Sequence, residues 1–84
     1  MEKIISVITS LDQRTRELIA IGASVGSNCL PCLCYHFAEA IKSGCTIQDI
    51  EEAVNLSKMV RERPAQDVNK IVEDLISKEK ERKK

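Results

Sequence analysis

The segment Asn28-Cys29-Leu30-Pro31-Cys32-Leu33-Cys34-Tyr35-His36 constrains the fold more than any other stretch of this chain. Pro31 lacks a backbone N–H, and its ring clashes with the preceding turn anywhere but at the start of a helix. The turn signal Gly26-Ser27-Asn28 comes just before it, so one helix must stop there and another must open. The same segment holds three of the four cysteines and the sole histidine of the protein. A helix advances about 100° per residue, which places Cys29, Cys32 and His36 within an arc of roughly 60° and turns Cys34 roughly 200° from Cys32. Three reactive side chains on one face of a first turn make a candidate site.

The flanking sequence reads as helices on either side of that opening. Ile4, Val7 and Ile8 suit a short helix over residues 1–9. Ser10 with Gln13 has the form of a capping box, which predicts a longer helix from there. Leu11, Leu18, Ile21, Gly22 and Val25 share its apolar stripe, with Arg14 and Arg16 at or beyond the edge. The helix opened by Pro31 is predicted over about Leu30–Ser43, with Gly44 as its stop. Thr46 is a good N-cap for the next, and Asp49 adds an acidic partner at the third helical position. Ile47, Ile50, Val54 and Ser57 form one row of that helix, and Ala53, Leu56 and Val60 its neighbour. Pro64 fits the first turn of a last helix, whose Val68, Ile71, Val72, Leu75 and Ile76 make a face that should be buried, either on its own subunit or on a neighbour. No strand signal, internal repeat or linker interrupts the pattern. The expected fold is all-α.

Size decides how such a bundle can be stable. The chain has 84 residues, enough for one domain over 1–84. Within it the motif region spans 10–60, the last helix 64–79, and a solvated basic tail 80–84. A chain this short hides only about 60–65% of the surface its unfolded form exposes. Aromatic residues make up 2% of it, so the core lacks bulk. Such small cores usually need a metal, crosslinks or partner subunits, and self-association is expected here. The formal charge of zero gives no electrostatic footprint for nucleic acid. No signal peptide or bilayer-spanning run is evident, so a cytoplasmic protein without membrane contact is expected. Cytosolic cysteines are more often catalytic or metal-binding than structural.

A thiol at a helix N-terminus feels the partial positive charge of unpaired backbone N–H groups, which favours thiolate. Two such thiols separated by two residues can close a small disulfide loop and reopen it, as dithiol–disulfide exchange requires. His36, one turn beyond Cys32 on the same face, can take a thiol proton or return it to a leaving thiolate. A carboxylate would complete a relay by orienting the imidazole, and Glu17 is the candidate. It lies roughly 16 Å before Asn28 along one helix, and His36 roughly 12 Å after it along the next. If the second helix folds back on the first, the two side chains reach similar heights.

Arg16-Glu17-Leu18-Ile19-Ala20-Ile21-Gly22-Ala23, the Asn28–His36 segment, Ala40 to Gly44 and Ile50-Glu51-Glu52-Ala53 together resemble the carboxymuconolactone decarboxylase superfamily. The cysteine pair resembles its redox branch, alkyl hydroperoxidase D and small relatives. The resemblance covers about residues 10–60, and Glu17 precedes Cys29 by twelve as the pattern demands. It implies an all-helical bundle assembled as trimers or hexamers, with no organic cofactor. It implies a thiol-dependent peroxidase or disulfide reductase acting on a peroxide or disulfide and recharged by a dithiol. Cys32 would be the attacking thiol, Cys29 its resolving partner, and Glu17 and His36 the proton relay. The lyase branch generally lacks the pair. Many relatives carry a histidine between the paired cysteines, where this chain has Leu30 and Pro31. Cys34 and Cys45 fall outside the pattern, and Cys45, in a turn, reads as a bystander thiol.

Two other readings compete. Cys29, Cys32, Cys34 and His36 could be counted as ligands for zinc or an iron–sulfur cluster. Helical phase opposes the four-ligand version, since Cys34 points away, but a site built from Cys29, Cys32 and His36 stays open. The other is an oligomeric member that keeps the fold without activity.

Overall fold

A computed structural model describes residues 10–63 and 68–83. They form four helices and no strand: α1, Gln13–Gly26; α2, Leu30–Lys42; α3, Ile47–Arg61; and α4, Asn69–Arg82. The predicted short helix over 1–9 and the place of Pro64 lie outside the described residues.

Local chemistry explains most of the boundaries. α1 is capped by Asp12, whose Oδ1 accepts the Thr15 N–H at 2.7 Å. The expected box from Ser10 therefore does not form. Asp12 supplies a full carboxylate to the positive end of the helix, which a serine hydroxyl two residues earlier cannot match. Leu11, ahead of that cap, drops out of the stripe and is exposed. α1 ends at Gly26, and Asn28 beyond it takes φ 56°, a left-handed position that asparagine tolerates. α2 stops one residue short of Ser43, and Gly44 at φ 94° turns the chain toward α3. There the Thr46 hydroxyl accepts the Asp49 N–H at 3.0 Å while Asp49 accepts the Thr46 N–H at 3.1 Å. The box satisfies two unpaired donors reciprocally.

α1 is the central element, lying against both α2 and α3, which touch each other only slightly. Ile21 and Ala40 are fully buried, and Cys45 and Ile50 nearly so; Leu18, Leu33, Ala53 and Val54 pack around them. Gly22 permits the close approach of α1 and α3, because a Cβ there would stand 2.8 Å from Ser57 Oγ. The thinness expected from composition is visible: Ile19, Leu56, Met59 and Val60 are exposed.

α4 departs from one expectation. It runs to Arg82, into the stretch 80–84 expected to be a solvated tail. Arg82 makes a two-nitrogen ion pair with Glu79, 2.8 Å at its shortest, and Lys80 and Arg82 complement the negative end of the dipole. Among the described residues α4 packs against none of the other helices, and Ile71, Val72, Leu75 and Ile76 are exposed.

Candidate functional site

The turn between α1 and α2 is held from three directions. The Cys29 N–H donates to Ser24 O at 2.9 Å, and the Asn28 N–H to Val25 O at 3.2 Å, folding the turn back on the end of α1. The Cys29 carbonyl accepts the Leu33 N–H at 3.0 Å and so begins α2. From α3, Arg61 Nη1 donates to Val25 O at 3.1 Å and to Asn28 Oδ1 at 2.8 Å. Every helix of the core thus contributes to where Cys29 sits.

Cys29 is the N-cap of α2, in extended conformation at φ −96°, ψ 100°, with Pro31 in the first turn as expected. Its position is therefore set by the cap geometry and not by helical phase. Cys29 and Cys32 are joined as a disulfide with their Cα atoms 5.3 Å apart. Cys34, two residues on, is exposed and free, and Cys45 is buried in the core with its Sγ 3.6 Å from Arg14 O.

His36 lies one turn beyond Cys32 on α2 and faces α1. Its Nδ1 stands 2.7 Å from Glu17 Oε1, and the two side chains are 4% and 1% exposed. A carboxylate removed from water this completely requires a partner, and the imidazole supplies it. With Glu17 accepting, Nδ1 is the donor and Nε2 is the ring nitrogen left outside this hydrogen bond. Tyr35 packs edge-on against the imidazole, ring centres 5.0 Å apart.

Beside the disulfide lies an open cleft of about 370 Å³. Val25, Leu33 and Val54 form apolar wall, Cys29 borders it, and Lys58 and Arg61 of α3 bring positive charge. Neither cation was singled out in the sequence, and no local signal marks them: both lie about thirty residues from Cys29 on another helix. Among the described residues no group of three or more His, Cys, Asp or Glu side chains is arranged to hold a metal ion. None of the described helices is long and apolar enough to cross a membrane.

The structure brings together two pairs from the sequence-predicted site, Cys29 with Cys32 and Glu17 with His36. It leaves Cys34 and Cys45 outside both. The sequence model for the Carboxymuconolactone decarboxylase family matches residues 2–67. No curated protein and no solved structure matches the chain.

Proposed function

We propose that this chain, which belongs to the carboxymuconolactone decarboxylase family, is a thiol-dependent oxidoreductase of the alkyl hydroperoxidase D type. The observation that carries the reading is the closed Cys29–Cys32 disulfide at the mouth of the helix that bears the buried, Glu17-held His36. A bonded pair at this spacing is one end of a dithiol–disulfide cycle.

In the cycle we infer, both cysteines begin reduced. The Cys32 thiolate, its proton taken by His36 Nε2, attacks the outer oxygen of a hydroperoxide. The O–O bond breaks, the alkoxide leaves as alcohol with the proton from His36, and Cys32 becomes a sulfenic acid. The Cys29 thiol then attacks Cys32 Sγ, the S–S bond forms, and water departs. An external dithiol returns two electrons and two protons, restoring both thiols and leaving as its own disulfide. Glu17 keeps His36 in one tautomer and stabilises its charged form between steps. Cys32 takes the attacking role because it lies four residues before His36, on the same face of α2.

The exposed apolar faces support a homo-oligomer, with copies of the chain covering what a single core leaves open; sedimentation would show a monomer if this is wrong. The activity test is peroxide consumption driven by a dithiol. Cys32→Ser should abolish it and Cys34→Ser should retain most of it. Equal loss in the two variants overturns the assignment.

A further inference from the structure

The cleft beside Cys29 differs in charge from the chain as a whole. The protein is formally neutral, yet among the described residues no acidic one lines this cleft, and Lys58 and Arg61 both do. Among the described residues neither cation has a carboxylate partner. Among the described residues Arg61 spends Nη1 on Val25 O and Asn28 Oδ1, and a guanidinium has further donors to offer. Lys58 is exposed and can lay its methylene stem along the apolar wall while its ammonium stays at the rim. The wall itself, from Val25, Leu33 and Val54, excludes water from one side. The volume of about 370 Å³ falls in the range of small-molecule sites.

We propose that this cleft binds a small apolar molecule carrying one carboxylate, its chain along the Val25–Leu33–Val54 wall and its head between Lys58 and Arg61. A neutral molecule of the same length fills the wall and gains nothing at the rim. A short hydrophilic anion gains the rim and leaves the wall wet. The amphiphile satisfies both, and its body lies against Cys29. That this ligand is the oxidising substrate rests on the redox reading above; that it binds does not.

The test is calorimetric titration of the disulfide form of the full chain with decanoate and with 1-decanol, below their aggregation limits. Decanoate should bind about tenfold tighter or more at low salt, and the margin should shrink as salt is raised. Lys58→Glu should remove the preference and leave decanol binding unchanged, whereas Lys42→Glu, on α2 and paired with Glu39, should change neither. Equal affinities, no binding of decanoate, or an unaltered preference in Lys58→Glu overturns the proposal. Peroxide turnover without decanoate binding sinks this inference alone; decanoate binding without turnover sinks the redox reading alone.

Discussion

Glu17 and His36 lie nineteen residues apart in the chain and 2.7 Å apart in space, almost wholly removed from water. They join the central helix to the one that carries the cysteines, so this one buried contact ties α1 to α2. A carboxylate left in that position without the imidazole would be an uncompensated buried charge, which costs about 3–5 kcal/mol. In a core this thin, that is most of the stability. His36→Ala should therefore unfold or severely destabilise the protein in thermal melts. Glu17→Gln keeps an oxygen for the Nδ1–H and should stay folded, yet lose the negative charge that supports protonated imidazole. Its peroxide turnover should fall by on the order of tenfold to a hundredfold. A folded Glu17→Gln variant with unchanged turnover would remove Glu17 from the relay.

Acid should loosen the fold through its caps. The Thr15 backbone N–H, then the Thr15 side chain, hold the Asp12 carboxyl below its ordinary value of 3.8, and Thr46 does the same for Asp49. A carboxylate whose folded value is lowered stabilises the fold above the unfolded value and loses that contribution as pH falls through the folded one. Melting temperature should thus drop as pH is taken from 5 down through the region below 3.8. Asp49→Asn should melt lower at pH 7 and show a shallower acid loss. Parallel curves for the variant and the wild type would contradict this.

Asn28 allows the backbone of the turn to be tested separately from its side-chain contacts. Its φ of 56° suits glycine better than any residue with a Cβ. Asn28→Ala and Asn28→Gly both lose the hydrogen bond from Arg61, so the difference between them isolates the conformational cost. Denaturant titrations should find alanine about 1–2 kcal/mol less stable than glycine. Equal stabilities would mean the turn relaxes to another shape when Arg61 lets go.

The sequence made local features legible and distant ones only where a pattern linked them. Pro31, Gly44 and the Thr46 cap act within a few residues, and each marks a boundary the structure contains. Glu17 was reachable because it and His36 stand at similar heights from Asn28 on neighbouring helices, and because its spacing from Cys29 matches the family pattern. Ser10 misled because Asp12, two residues later, offers the stronger cap. Arg61 clamping Asn28 from thirty-three residues away left no trace, since an arginine in a helix is equally compatible with a solvated face. Lys58 was hidden for the same reason. The face of α4 was correctly apolar, but periodicity says that a face is sticky and not whether its own chain covers it.

The most direct measurement is mass mapping of the reduced protein after one equivalent of hydrogen peroxide under denaturing quench. A redox pair predicts rapid loss of two hydrogens per chain, with fragmentation placing the new bond between Cys29 and Cys32 and leaving Cys34 and Cys45 as thiols. Oxidation that begins at the exposed Cys34, or that leaves Cys29 and Cys32 unlinked while peroxide disappears, would contradict the account.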